Sequence, residues 1–303
     1  MREFLDSAGF LEVETPLLSA DVVIDRHLDP LRVILPDDPS QPTAGRNLWL
    51  QTSPEAAMKR LMAAGGEAIY QITRSFRAGE RGPLHNPEFT IVEWYRRGDS
   101  MDTGMQLLSD LCEALLGLGP AQRMSYAEAF EQFAGIDPHR ASLDELAAAA
   151  HSHAITPPVG LAKEDRDGWL DLLLVSRVQA RLGMDQPMIV FDYPASQAAL
   201  ARVRPQGRPV AERFELYVRG IELANGYHEL TDAEELRQRF AEQSILRIAD
   251  GKPTLPLPAR LLAAMEAGLP ACTGVALGLD RVAMLAAGVE SIDEVWTFPV
   301  DRA

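Results

Sequence analysis

Apolar positions along the chain repeat with helical and strand periods, and prolines and glycines separate the stretches. The first residues read as a short helix ended by Gly9, followed by an extended run over 10–15 that Pro16 stops. Residues 37–45, with Pro39, Pro42 and Gly45 after a leading Pro36, read as a loop, and 48–52 as a strand. Ser53-Pro54-Glu55 supplies an N-cap, a first-turn proline and an early acid, and predicts a helix to about Ala64, where Gly65-Gly66 ends it. Residues 68–76 and 88–95 read as paired strands joined by a long, glycine-containing connection over 78–87. Met101, Met105, Leu108, Cys112 and Leu115 fall on one helical face, and further helical patterns cover 126–133, 142–151 and 166–182. Strands return at 188–193, 211–219 and 221–225. Residues 232–249 read as a long charged helix, after which Pro253, Pro256 and Pro258 break the chain. A strand over 274–279 feeds directly into a helix over 280–287. Strands that meet through hairpins rather than regular βαβ alternation predict an α+β fold, its mainly antiparallel sheet flanked by helices.

Composition narrows the class. The 303 residues are 47% hydrophobic and 24% charged, which suits a globular chain and excludes wholesale disorder. Acidic residues outnumber basic ones 44 to 29, a net charge of −15, so a broad nucleic-acid-binding surface is disfavoured. Cys112 and Cys272 are isolated thiols; they make neither a disulfide framework nor a zinc knuckle, which fits a reducing cytoplasm. The opening Met1-Arg2-Glu3-Phe4-Leu5-Asp6 has no apolar targeting core, and no run reaches the length of a membrane span. A cytoplasmic location without a membrane partner is expected.

The common catalytic signatures are missing. There is no P-loop, no Gly-x-Gly-x-x-Gly, no His-Glu-x-x-His and no nucleophile elbow. Charges instead gather in four segments that otherwise look buried: Thr52–Glu55; Arg74–Glu80 with 85–89 and 93–95; Arg213–Leu216 continuing to 222–230; and Gly274–Arg281. Charges within a sheet are rarely left unpaired unless they meet a ligand or each other. Taken singly, each has a bland explanation. Arg77 and Arg281 could pair with surface carboxylates, Glu215, Glu222 and Glu229 could line a solvated edge, and Phe89 and Tyr95 could be core. His85 and His228 could be ordinary loop residues.

Order and spacing decide otherwise. Residues 10–16, the stretch from Arg77 through Asn86-Pro87-Glu88-Phe89 to Tyr95, and residues 274–281 resemble motifs one, two and three of the class II aminoacyl-tRNA synthetases. Ser53-Pro54-Glu55 before motif two, and Glu222-Leu223-Ala224-Asn225-Gly226 leading to Glu229-Leu230 after it, resemble the lysyl-tRNA synthetase branch. The resemblance runs from Met1 to Ala303, with motif one inside the first twenty residues. It therefore implies a single class II synthetase-like catalytic domain over 1–303 with no anticodon-binding domain, similar to the free-standing paralogues that attach (R)-β-lysine to a lysine of elongation factor P.

That resemblance implies an ATP-dependent, AMP-forming ligase. It makes Arg77 and Arg281 the catalytic pair, one bridging the α-phosphate and the substrate carboxylate, the other holding the far phosphates. The nucleotide would also meet Ala78, Gly79, Asn86, Phe89, Glu222, Leu223 and Gly278, with Phe89 stacking on adenine. Ser53, Glu55, Glu93, Tyr95, Asn225, Glu229 and Ala276 would bind lysine or (R)-β-lysine, and Glu215 and Glu222 would hold Mg²⁺. Elongation factor P would be the acceptor and the chain a homodimer, with no tight nucleic acid. The family's motif two usually reads Arg-x-Glu; here Gly79 stands two after Arg77 and Glu80 follows one step later. The rivals are a truncated lysyl-tRNA synthetase-like enzyme acting on tRNA, disfavoured by the charge of −15 and the missing anticodon module, and a non-catalytic paralogue, disfavoured by Arg77, Arg281, Glu215 and Glu222.

Overall fold

The computed structural model describes residues 1–303, which fold as two units, Met1–Asp99 with Leu230–Ala303, and Ser100–Glu229. The first unit begins with α1 (Arg2–Ser7), β1 (Leu11–Glu12), β2 (Leu18–Ser19), β3 (Arg32–Pro36), β4 (Gly45–Leu50), α2 (Glu55–Ala63), β5 (Ala68–Phe76) and β6 (Glu88–Arg97). The second holds α3 (Met101–Leu116), β7 (Gln122–Ser125), α4 (Tyr126–Ala134), α5 (Leu143–Ser152), α6 (Arg166–Leu173), β8 (Met188–Pro194), β9 (Val203–Arg204), β10 (Val210–Val218) and β11 (Ile221–His228). The chain then completes the first unit with α7 (Ala233–Ala249), α8 (Ala259–Gly268), β12 (Cys272–Gly278) and α9 (Leu279–Ala287). No helix is long and apolar enough to cross a membrane.

In the first unit the strand order is β1-β5-β6-β12, antiparallel except for the parallel β1/β5 pair. A separate antiparallel ribbon runs β2-β4-β3. Period-two alternation sorts β6 cleanly: Val92 and Trp94 are buried on one face, while Phe89, Ile91, Glu93 and Tyr95 share the other. Across the ladder, Ser75, Thr73, Gln71 and Ile69 of β5 stand opposite those four. On the other side, Gly278, Ala276 and Gly274 of β12 stand opposite Ile91, Glu93 and Tyr95. That face is where the side chains of interest converge. α2 packs on β6 and α8, and begins where Pro54 and Glu55 set its first turn.

In the second unit the order is β11-β10-β8-β7, with β9 added to β10 and a parallel β7/β8 pair. Its core gathers Tyr126, Phe130, Leu146, Trp169, Leu170 and Tyr193 from α4, α5, α6 and β8. Ser125 with Glu128, and Ser142 with Glu145, form reciprocal caps that start α4 and α5. Gly226 of β11 lies directly opposite Phe214 of β10, and a Cβ there would stand 2.4 Å from the ring. The two cysteines are buried and form no disulfide, Cys112 in α3 and Cys272 in β12.

Several expectations change. The helix expected over 166–182 stops at Leu173 and continues as a wider π-turn, Leu174–Val178, and a tight 3-10 turn, Gln179–Arg181. The β10–β11 turn docks on that irregular end: the Arg219 and Gly220 N–H groups donate to the Gly183 and Leu182 carbonyls, and the Gln179 amide donates to the Gly220 carbonyl. The proline-rich break ends at Pro258, which immediately precedes α8, a position where proline's missing N–H costs nothing. β2, β3, β7 and β9 are additional strands, and α8 is an additional helix.

Candidate active site

The first unit concentrates the charge. Arg77 follows the last residue of β5; its N–H donates to the Pro87 carbonyl (2.9 Å) and its Nε to the Thr52 carbonyl (3.4 Å). Its guanidinium lies 4.9 Å from the centre of the Phe89 ring, and Glu80 comes to 3.9 Å. The acid displaced by one residue in sequence thus reaches the arginine, because Gly79 takes a left-handed turn (φ +80°) between them. The next amide, Ala78 N–H, donates to the Asp29 carbonyl at 2.7 Å.

Arg281, in the first turn of α9, is tied to the same loop. Its Nε donates to the Leu84 carbonyl (3.2 Å) and its Nη2 to His85 Nε2 (2.8 Å). Burial, then the neighbouring Arg281 charge, lowers the basicity of His85, which makes it a neutral acceptor for that bond. The neighbouring Asp280 carboxylate accepts the Thr90 N–H at 2.7 Å, anchoring α9 to β6. Asn86 is turned inward: its amide donates to the Glu88 carbonyl and its oxygen accepts the Val300 N–H, so it braces the loop from within.

Glu93 is the most deeply buried carboxyl. It is 1% exposed; Oε2 accepts the Tyr95 hydroxyl (3.1 Å), and Oε1 has no partner. Burial raises its pKa to about 8, helped by the nearby Glu55 charge and opposed by Ser53, Tyr95 and Lys59. The Glu55 carboxylate meets Lys59, one turn further along α2, at 2.5 Å, and Lys59 is itself only 1% exposed. Ser53 Oγ accepts the Glu55 N–H. Gln71, opposite Glu93, is buried with an unpartnered Nε2. Buried polar atoms without partners are rare. Here two of them lie on directly opposed residues, over a β12 floor made of Gly274, Ala276 and Gly278. The face can therefore offer carboxylates to an ammonium group at one end and guanidinium groups to anions at the other.

In the second unit, Arg213, Glu215 and Tyr217 share one face of β10. Both Glu215 oxygens are engaged: Oε1 accepts from Arg213 at 2.5 Å, and Oε2 accepts the Tyr193 hydroxyl at 2.5 Å and the Tyr217 hydroxyl. Burial, then the Glu215 charge, holds both tyrosines well above their ordinary range, so they remain donors. Asn225 lies opposite Glu215 and donates to the Tyr227 hydroxyl at 3.0 Å. Glu222 stands opposite Tyr217, Leu223 is core, and Glu229 is buried beyond the end of β11. Of the expected Mg²⁺ pair, Glu215 already meets the Arg213 guanidinium; Mg²⁺ is ordinarily held by one or two carboxylates together with substrate phosphates.

Sequence reasoning named the carboxylates and arginines but passed over Lys59, Gln71 and Asp29. Lys59 was within reach, since a lysine four residues after Glu55 on a helix faces it. Gln71 and Asp29 act through strand register and a backbone carbonyl, which carry no sequence signal.

The fold is that of a class II aminoacyl-tRNA synthetase domain. The profile of the class II tRNA synthetases (D, K and N) matches residues 1–302, and the chain belongs to that family. More narrowly, it is similar over its full length to a Klebsiella pneumoniae protein named elongation factor P–(R)-β-lysine ligase, at 48% identity over 308 residues, covering 100% of this chain and 92% of the relative. A Salmonella paratyphi B protein of the same name is 46% identical over 305 residues, with the same coverage of both chains.

Proposed function

We propose that this chain uses ATP to activate (R)-β-lysine, or lysine, as an adenylate and transfers it to a lysine of elongation factor P. The observation that carries this reading is the buried Glu93 carboxyl, with a free oxygen beside Glu55, on the same sheet face as Arg77 and Phe89. A diamino acid brings ammonium groups that call for buried carboxylates, while its own carboxylate and the α-phosphate call for a guanidinium fork. The similarity to the named ligases supports the same substrate and acceptor.

In the first step a carboxylate oxygen attacks the α-phosphorus, and the bond to the β-phosphate oxygen breaks to release pyrophosphate. Arg77 neutralises the approach of the two anions, and Arg281 holds the departing phosphates. Phe89 offers adenine the ring face opposite Arg77. In the second step the neutral amine of the acceptor lysine attacks the acyl carbon, AMP leaves, and the amine's proton passes to solvent. Ser53, Glu55, Glu93 and Tyr95 take the ammonium groups, with Ala276 beneath them. The roles of Glu222, Leu223, Asn225 and Glu229 rest on the family resemblance, as does Mg²⁺. The two buried thiols, which form no disulfide, support a cytoplasmic setting, and the exposed apolar residues of the first unit support a homodimer.

Pyrophosphate exchange with a panel of amino acids tests the reading. Exchange should require a diamino acid, and Arg77→Ala should lower it about a hundredfold or more while the fold is kept. Near wild-type exchange in that variant, or stable lysyl-tRNA formation by the purified protein, would overturn it.

A further inference from the structure

Arg247 is the largest charged side chain buried in the chain, at 1% exposure near the end of α7, and no part of the proposed chemistry uses it. Its Nη1 donates to the Asp25 and Leu28 carbonyls (2.8 and 2.9 Å), and its Nη2 to Asp29 Oδ1 (2.9 Å). Lys252 closes the same grip: Nζ donates to the Arg26 carbonyl and to Asp29 Oδ2, both at 2.8 Å. Gln243 of α7 accepts the Arg26 N–H, and Asp250 pairs with the Arg26 guanidinium at 2.7 Å. Asp25 in turn caps the segment, accepting the His27 and Leu28 N–H groups. Residues 25–29 have no regular secondary structure, so these bonds are what fixes them.

The segment ends on one functional contact. The Asp29 carbonyl accepts the N–H of Ala78, at 2.7 Å, immediately after Arg77. Arg77's own N–H is held by Pro87 on the other side. The base of the loop is thus pinned from two directions, and one pin runs back through Asp29 to a buried guanidinium. A buried charge is costly unless it is paired; Arg247 has no partner at Nε, so the bonds from its two Nη atoms carry the pairing and impose one geometry on the segment that receives them.

We propose that Arg247, with Lys252, is a positioning residue that sets the place of the Arg77 loop through the Asp29 carbonyl. The proposal rests on Arg77 acting in adenylate formation, where a displacement of about 1 Å can cost on the order of a hundredfold in rate. It also makes a claim about backbone order that holds whatever the reaction. The ammonium-binding side chains, Glu55, Glu93 and Tyr95, lie on α2 and β6 and make none of these contacts. The clamp should therefore affect turnover more than amino-acid binding.

The test compares wild type, Arg247→Met, Lys252→Met and Arg237→Ala. The last is a control on the same helix, whose side chain reaches only Glu234 and Glu266 in the contacts that define it. Amide hydrogen exchange is read first, because it needs no activity. Arg247→Met should speed exchange at 25–29 and at Ala78 about tenfold, Lys252→Met by less, and neither should change β6. In pyrophosphate exchange, Arg247→Met should lower kcat about tenfold and leave the KM for the diamino acid within about twofold. Arg237→Ala should match wild type in both. Unchanged exchange at Ala78 in a folded Arg247→Met protein overturns the proposal, as does wild-type kcat in that protein. If Arg247→Met does not fold, Lys252→Met decides by the same two readouts. A wild type silent in pyrophosphate exchange would count against the proposed function, while the amide data would still judge the clamp.

Discussion

Glu93 shows how much one residue can settle. Its pKa, raised from 4.5 to about 8, makes the folded chain hold a proton that the unfolded chain gives up. Below pH 4.5 both states are protonated and the contribution is fully present. Above that, stability falls by about 1.4 kcal/mol per pH unit until the folded group ionises near pH 8, where the loss levels off. Wild type should therefore lose more melting temperature between pH 5.5 and 8 than Glu93→Gln; equal losses would show that Glu93 is charged in the fold. A cationic substrate favours the ionised form, so amino-acid binding should also tighten over the same range. Ala276 stands directly opposite Glu93. In the proposed binding mode its methyl would narrow the floor beside the substrate's α-carbon, where an α-amino acid branches and a β-amino acid does not. Ala276→Gly should raise kcat/KM for α-lysine relative to (R)-β-lysine, by the roughly 1–3 kcal/mol that one methyl can discriminate. An unmoved ratio would make Ala276 purely structural.

At the scale of elements, β10 and β11 depend on a missing side chain. A Cβ on Gly226 would lie 2.4 Å from the fully buried Phe214 ring, so the ring would have to shift. Gly226→Ala should destabilise the second unit by about 1–3 kcal/mol in chemical denaturation, and Phe214→Leu in the same chain should recover part of it. Elements with a strong period or a clear cap were legible from sequence: β5 falls on 68–76 as expected, and α2 starts after Ser-Pro as its signature demands. Illegible were the elements that lean on partners. β7 and β9 are short strands recruited by β8 and β10, and α8 hides behind three prolines. The helix expected to reach Leu182 fails at Leu173 because a turn from elsewhere in its unit docks on its end. In the site, the strand expected over 88–95 carries Phe89, Glu93 and Tyr95, and the structure puts all three on one face. The inward turn of Asn86 and the saturation of Glu215 by Arg213 and two tyrosines depend on contacts between distant residues, which no local pattern encodes.

For the molecule as a whole, surface and charge pull in different directions. Leu11 is 67% exposed and Leu17 38%, in and just after motif one, and Leu35 of β3, also in the first unit, is 43% exposed. A self-complementary two-fold contact would cover such a run of apolar side chains. Light scattering at micromolar concentration should give twice 33.3 kDa; a strict monomer would remove the homodimer from the reading. The net charge of −15 acts at longer range, favouring solubility and working against polyanions.

The placement of the two sulfur atoms has a practical consequence. Each unit contains a single thiol, Cys112 in one and Cys272 in the other, and both are sealed from solvent. Burial also pushes the Cys112 thiol up to about 11, which suppresses the reactive thiolate. Neither will meet an alkylating reagent until its surroundings come apart. The chain therefore carries a built-in chemical clock for each half: timed labelling, with the modified peptide identified by mass, reads out which half loosens first and how often, without any engineered probe.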